Sequence, residues 1–325
     1  MQNIVTASVN TSVNANTVKT ILDGVKDKAY DELVVPGQVN YLDGMVFMQE
    51  SSDKLVEQFQ LFAGLGEFSI VDEEGEAERD SFQSPDGTKR NFTMKKYMKD
   101  VFISAEFDKD DQHGLVARGM KSAVRAELAS HNKLAFGVYN DAFAGAIYTT
   151  VADLGGQPLC SASHTTIDGN TTIDNLETAS LDDAGAIDSM IQSLQEQVDY
   201  RGVHAGQMPE CLLVPTAIRS LAERIVYSTL LAGSADNDLN PIRGLYNLTV
   251  KASPFLGTTI GGGSDSRYFV LGSDTTVMRF EREGTTTSVK APEFSRNDVW
   301  EYRMKYREQV GIMSYDGVVG SNATA

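Results

Sequence analysis

Residues 158–166 read PLCSASHTT, which gathers a thiol (Cys160), two hydroxyls (Ser161, Ser163) and an imidazole (His164) in one short run. These are the parts of an activated nucleophile: a Cys or Ser side chain that gives its proton to a histidine and attacks an acyl carbon. With four histidines and two cysteines in 325 residues, such chemistry has few other places to arise. A catalytic Ser or Cys usually stands on a sharp, glycine-flanked turn such as G-x-S-x-G, and no glycine flanks Cys160 or Ser161. His164 also follows Cys160 closely, whereas triad members are ordinarily remote in sequence and joined by the fold. The competing reading is a turn in which the Ser161, Ser163 and Thr165 hydroxyls satisfy backbone groups. In that reading Leu159 and Cys160 pack inward as small hydrophobes, and His164 hydrogen-bonds across the loop.

Other chemistry finds less support. Gly261-Gly-Gly-Ser264 lacks the lysine of a phosphate-binding loop and the spacing of a dinucleotide fingerprint, and reads as a flexible loop between strands. His113, His131, His164 and His204 are scattered, with no H-E-x-x-H or C-x-x-C among them. His131 reads as a satisfied core or interface histidine, since no second His or Cys accompanies it four positions away. No catalytic, cofactor-binding or metal residue is therefore assigned.

Around these residues the periodicities define elements. A polar tract, residues 3–17, is too poor in apolar side chains to order itself. Val18, Ile21, Leu22 and Val25 follow at helical spacing, and a second helix is predicted from Ser52, as N-cap, through Leu55, Val56, Phe59 and Phe62. Residues 67–107 read as a long hairpin, with strand-like Phe68, Ile70 and Val71, an acidic run over Asp72–Asp80 and a turn at residues 84–87. A lone two-stranded hairpin is marginal in water, so its apolar residues imply a surface to lie on. The strongest helical pattern covers residues 110–145, about 45 Å of rod, with Asp108, Asp110 and Asp111 at its start and Gly145 as its stop.

Alternating helix and strand follow. Ser180–Asp183 resembles a capping box before a helix through Ile187, Met190, Ile191, Leu194 and Val198, stopped at Gly202. Cys211–Val214 reads as a buried strand ended by Pro215, with Thr216 capping a helix that carries Ile218, Leu221, Ala222 and Ile225. Strands are expected at Leu245–Val250, Tyr268–Leu271, Thr276–Phe280 and Val299–Ile312. In the last, Trp300, Tyr302, Met304 and Tyr306 alternate with Glu301, Arg303, Lys305 and Arg307, so one face is buried and the other charged.

Composition narrows the classes. A 41% hydrophobic chain with 22% charge can bury a core, and no run approaches the roughly 20 apolar residues that span a bilayer. The first residues lack a basic and an apolar region, so no signal peptide and reduced thiols are expected. Forty-five acids against 28 bases give a net charge of −17, which opposes general nucleic-acid binding; a shell that encloses DNA without gripping it would tolerate such a charge, but the charge identifies nothing.

The order of a polar arm, a projecting hairpin, a spine helix, a Leu-x-Ser-x-Ser-His loop and an α/β region resembles the major capsid proteins of tailed bacteriophages. Those proteins have the Hong Kong 97-like fold, an α+β architecture. The resemblance spans nearly the whole chain. It is carried by Leu159-Cys160-Ser161-Ala162-Ser163-His164, by Leu213-Val214-Pro215-Thr216-Ala217 with the helix Ile218–Leu230, by Asn240-Pro241-Ile242-Arg243-Gly244-Leu245, and by strand 300–307.

The resemblance implies an N-terminal arm at 1–50, a short helix and extended loop at 51–107, and a peripheral domain with spine helix and connector at 108–175. An axial domain at 176–290 and a C-terminal strand at 291–325, returning to the peripheral domain, complete it. It implies a non-enzymatic subunit that assembles into pentamers and hexamers of an icosahedral shell around double-stranded DNA, made in the bacterial host cytoplasm and carried in the virion without membrane contact. A separate scaffolding protein, a portal and decoration proteins are the implied partners. Some members of the family join neighbours through a lysine–asparagine bond; no motif assigns Lys89, Lys95, Lys96 or Lys99 that role, and no cross-link is expected. Two alternatives stand beside this: an encapsulin-like compartment shell, and a hydrolase using Cys160 or Ser161 with His164.

Overall fold

Cys211-Leu-Leu-Val214 is apolar at every position, the pattern of a strand buried on both faces. The computed structural model, which describes residues 41–42, 44–60, 89–110, 115–144, 157–165, 172–182, 184–230, 239–295 and 297–323, shows that burial. Among the described residues one compact unit comprises Lys96–Ala129 and Glu283–Arg307. The other comprises Tyr41–Lys95, Ser130–Arg282 and Glu308–Ala325.

The elements run β1 (Met48–Ser51), β2 (Val56–Gln60), β3 (Lys89–Thr93), β4 (Lys95–Ser104), α1 (Ala105–Lys109) and α2 (Leu115–Asn140). Next come β5 (His164–Thr165), β6 (Thr172–Ile173), β7 (Leu176–Glu177), α3 (Ala184–Gln195), β8 (Pro209–Pro215), α4 (Arg219–Tyr227), α5 (Pro241–Leu245) and β9 (Thr249–Ser253). The chain closes with β10 (Tyr268–Gly272), β11 (Val277–Lys290), β12 (Val299–Ile312) and β13 (Val318–Ser321).

In the larger unit β8 is interior to a five-stranded sheet of order β7-β13-β10-β8-β9, parallel to β9 and β7 parallel to β13, with β10 antiparallel to both its neighbours. Alternation sorts its side chains into two cores. Cys211, Leu213, Phe269, Leu271 and Val318 face a core with Phe136, Val138 and Tyr139 of α2. Leu212, Val214, Tyr268, Val270 and Val319 face Ile187, Met190, Ile191 and Leu194 of α3 and Ala222, Ile225 and Val226 of α4. A fully buried aliphatic side chain contributes roughly 1.5–3 kcal/mol, so this double burial is the main cohesion of the unit.

In the smaller unit Met120, Ala123 and Val124 of α2 pack on Tyr302 and Met304 of β12, with Val101 and Val289 beside them. β12 is interior to a four-stranded sheet of order β1-β11-β12-β4. The opposite face of β12 carries ion pairs: Arg303 with Asp100 through two bonds of 2.7 and 2.8 Å, and Lys305 with Glu283 at 2.8 Å. The alternation expected over 300–307 is thus present, and β12 has the predicted bounds.

Several expectations are corrected. Residues 56–60 form β2, not a helix, because they pair antiparallel with β3 (Val56 opposite Thr93, Gln60 opposite Lys89) and Phe59 packs on Phe92 and Phe280. Ser52 caps no helix: its Oγ accepts from Lys54 N in a turn. The hairpin ladder ends at Thr93, and β4 lies beside β12 in the four-stranded sheet. The long helix begins at Leu115 and ends at Asn140, about 39 Å. Asp108 lies inside α1 and Asp110 caps its C-terminus, so neither starts α2.

Helix α3 ends at Gln195 because Val198 bridges His204 across a turn. Thr216 opens a 3-10 turn with no side-chain cap bond, and α4 starts only at Arg219. The strand expected from Leu245 starts at Thr249, since Asn240 caps α5 by accepting from Ile242 N at 3.2 Å. The expectations for residues 3–17, 18–25, 68–71, 84–87 and Gly145 lie outside the described residues.

Candidate functional site

The 157–165 segment meets the chain just past α2, where Cys160 N donates to Ala142 O at 2.9 Å. β5 pairs antiparallel with β6, placing His164 opposite Ile173. Two residues later stands Asn175, fully buried. Its Oδ1 accepts from Ser161 N at 2.8 Å, and its Nδ2 donates to Leu159 O at 2.9 Å and to Val318 O at 3.0 Å. Gly320 N donates to Asn175 O at 3.1 Å. One amide side chain therefore joins the connector to β13. Gln197 repeats the device, donating to Val318 O and accepting from Gly317 N.

The suspected nucleophiles are unfit for attack. Cys160 is buried, and burial pushes its thiol well above the ordinary range, so the reactive thiolate is suppressed. Its sulfur lies against Gly320, where an added Cβ would come within 2.6 Å of it, leaving no room for a substrate. Ser161 Oγ donates to Gln157 Oε1 at 3.1 Å, shares a bond with Ser163 Oγ and accepts from Ser163 N; His164 is not among its partners.

His164 Nε2 faces Leu159 O at 3.2 Å, so that nitrogen carries the proton and cannot take one from a hydroxyl. The His164 ring stacks on Tyr315, 4.6 Å between centroids, and Tyr315 donates to Val198 O. Sequence reasoning places Leu159, Cys160 and His164 in their observed roles. It misses Asn175, whose only signal is a polar residue between Ile173 and Leu176.

The glycine run also has a structural cause, which corrects its reading as a flexible loop. Asn140 Nδ2, at the end of α2, donates to Phe255 O and Gly261 O. A Cβ at Gly261 would fall 1.6 Å from Phe255 O, so the loop lies flush on that amide. Among the described residues no cluster of three or more His, Cys, Asp or Glu side chains could hold a metal ion. His131 is satisfied, as expected: its Nδ1 lies 2.7 Å from Glu308 Oε1, and Glu308 Oε2 accepts from Arg279 Nε and Nη2 at 3.0 and 2.7 Å. His113 lies outside the described residues.

What the surface offers instead of a reaction centre is exposed apolar area. Phe102, Phe107 and Leu115 are exposed in the smaller unit, as is Phe294 in the turn between β11 and β12. In the larger unit Leu230 and Leu239, paired across a bridge, are exposed as well. Such patches are the usual mark of association surfaces.

A family model described as phage capsid protein matches residues 87–321, well over half of the chain. Solved structures agree in fold. That of Microbacterium phage Oxtober96 is 10% identical, with a TM-score of 0.52, over 97% of this chain and 100% of that one. The mature capsid of bacteriophage PhiM1 is 13% identical, with a TM-score of 0.56, over 88% of this chain and 87% of the other. A virus-like particle from Pyrococcus furiosus is 6% identical, with a TM-score of 0.52, over 93% and 98% of the two chains. No curated protein matches the sequence.

Proposed function

The chain belongs to the phage capsid protein family, and we propose that it builds the icosahedral head of a tailed phage around packaged double-stranded DNA. It is a structural shell protein of the virion, with the Hong Kong 97-like α+β fold, and not an enzyme. The observation that carries the reading is the family match over residues 87–321. The sealed surroundings of Cys160 and the partners of His164 support it by leaving the hydrolase without a working nucleophile. An encapsulin-like compartment shell is the second reading, and the family match favours a phage head over it.

Within this reading residues 1–50 are an arm, 51–107 hold the extended loop, 108–175 belong to a peripheral domain, 176–290 to an axial domain, and 291–325 return to the peripheral domain. The ladder between β2 and β3 supports the second assignment, as the base of a ribbon whose connection spans residues 61–88. Synthesis is in the host cytoplasm, and scaffolding, portal and decoration proteins are the partners. The net charge of −17 supports enclosure of DNA without a specific grip. Assembly is then driven by many modest interfaces that bury apolar area the lone subunit exposes.

Sedimentation and electron microscopy of the purified chain, alone and co-expressed with the scaffolding gene, test the reading. Rings or closed shells are expected. A protein that stays monomeric in both conditions sinks it.

A further inference from the structure

We propose that the exposed face of α2 over Arg118–Ala129 is where this shell touches the phosphate backbone of packaged duplex DNA. α2 carries Arg118, Lys121, Arg125 and Lys133 against one acid, Glu127, in a chain whose net charge is −17. Met120, Ala123 and Val124 pack on Tyr302 and Met304 of β12. Glu127 is buried and accepts from Thr285 Oγ1, so its charge is not offered to solvent. What remains outside is Arg118, Gly119, Ser122, Arg125 and Ala129, all exposed, with Lys121 half-buried beside them. That face is positive along its length and carries no carboxylate of its own.

The placement works against the helix itself. Arg118 and Lys121 stand three residues apart and Lys121 and Arg125 four, spacings at which like charges repel. Arg118 closes the first turn, where the helix dipole disfavours a cation. Among the described residues neither Arg118 nor Arg125 bonds a carboxylate, those of α1 included. Arg219 on α4, by contrast, meets Glu223 one turn on at 2.8 Å. Cations set against the electrostatics of their own helix point to an anion from outside.

The face suits a nucleic acid better than a protein. Protein interfaces are anchored by aromatic or large apolar side chains, and no exposed residue from Arg118 to Ala129 is one. Gly119, Ser122 and Ala129 are small, so a broad rod can come close; a Cβ at Gly119 would meet nothing within 4 Å. Ser122 adds a hydroxyl able to donate to a phosphate oxygen. Arg118 to Arg125 spans about 10.5 Å of helix axis, a length over which duplex DNA carries about six phosphate charges. Such contacts position a duplex without reading its sequence, and many weak ones add up across a shell. This inference rests on the capsid reading.

The test uses the full chain, unassembled, with a short fluorescent DNA duplex read by anisotropy from about 50 to 200 mM NaCl. Binding should weaken with salt at a log–log slope of about −2.7, the value for three neutralised phosphates. The variant Arg118→Gln with Lys121→Gln and Arg125→Gln should bind at least tenfold less tightly at the lowest salt, its thermal midpoint level or raised. Arg201→Gln with Arg219→Gln and Arg243→Gln removes the same charge from exposed sites elsewhere and should cost less than threefold. Equal losses in the two variants, or no binding by the parent chain at the lowest salt, overturn the proposal. So does a lowered thermal midpoint in the α2 variant, because the cations then serve the fold. Preference for a peptide of residues 71–81 over the duplex overturns it too, giving the face to a neighbour's acidic run. Sedimentation separates the two readings: shells from a chain whose α2 face ignores DNA leave the capsid reading standing and remove this one, and DNA binding through α2 without shells does the reverse.

Discussion

Asn175 Nδ2 lies 2.9 Å from Leu159 O and 3.0 Å from Val318 O, so a single buried side chain holds the connector against the C-terminal strand. Replacing it with alanine strands the Ser161 amide in a site with no access to water, while Leu159 O keeps His164 Nε2 and Val318 O keeps Gln197 Nε2 as donors. A buried group left unpaired costs about 1–3 kcal/mol, so Asn175→Ala should lose about 1–3 kcal/mol of subunit stability. Asn175→Asp should be as damaging, because a carboxylate would face the same two carbonyls. Denaturant midpoints of the unassembled subunit measure both. A loss under about 1 kcal/mol for Asn175→Ala would mean that the amide is dispensable.

Burial also couples the connector to pH. The Cys160 thiol and the Tyr315 hydroxyl are both pushed up, chiefly by burial, so the folded chain keeps protons that the unfolded chain releases. The stability they contribute is complete below the ordinary thiol value of about 8.5 and declines as pH rises above it. For a fully buried thiol the slope is about 1.4 kcal/mol per pH unit. Thermal midpoints from pH 7.5 to 10 should therefore fall less steeply in Cys160→Ala than in the parent chain. Identical slopes would show that the thiol ionises without unfolding.

How far the sequence anticipates this structure depends on whether a signal is local. β12 is legible from end to end because each buried aromatic alternates with a charged residue on one strand. β8 is legible over Cys211–Val214 because its neighbours cover both faces there and each of those four positions must be apolar. Residues 52–62 mislead for the opposite reason: Leu55, Val56 and Phe59 fit a helical stripe, but the partner that makes 56–60 a strand is Lys89–Thr93, far along the chain. Asn175 is invisible for the same cause, since its three partners come from the 159–161 and 318 regions. The PLCSASHTT run shows the limit for chemistry: residue types suggest a nucleophile, and it takes the burial of Cys160, the partners of Ser161 and the facing of His164 Nε2 on Leu159 O to remove it.

A remote contact of this kind fixes Gly311. The ring of Phe92, on β3, lies so close that a Cβ at residue 311 would come 1.9 Å from Cε1. Phe92 cannot yield easily, since Phe280 lies 5.1 Å and Phe59 6.0 Å from it between ring centroids. Gly311→Ala should cost about 1–3 kcal/mol by overpacking. Shortening the ring in Phe92→Leu should restore part of that loss in the double variant, although Phe92→Leu alone destabilises. Strictly additive effects in the denaturation cycle would exclude the contact as the cause.

The ion cluster of Glu308, Arg279 and His131 is the last test, because its worth depends on what replaces it. Glu308 is 1% exposed and Arg279 8%, so neither charge can be hydrated if the other goes. Glu308→Gln leaves the Arg279 guanidinium without its buried carboxylate, with only Glu281 at 3.2 Å, itself half-exposed, to balance it. It also replaces the carboxylate that His131 Nδ1 faces. Losing one partner of a buried pair costs about 3–5 kcal/mol, whereas exchanging both for apolar residues of similar size is often nearly neutral. Glu308→Gln should therefore destabilise the subunit far more than the double variant Arg279→Met with Glu308→Leu. If the double variant is the less stable of the two, the cluster is held by net attraction rather than by the cost of an orphaned charge.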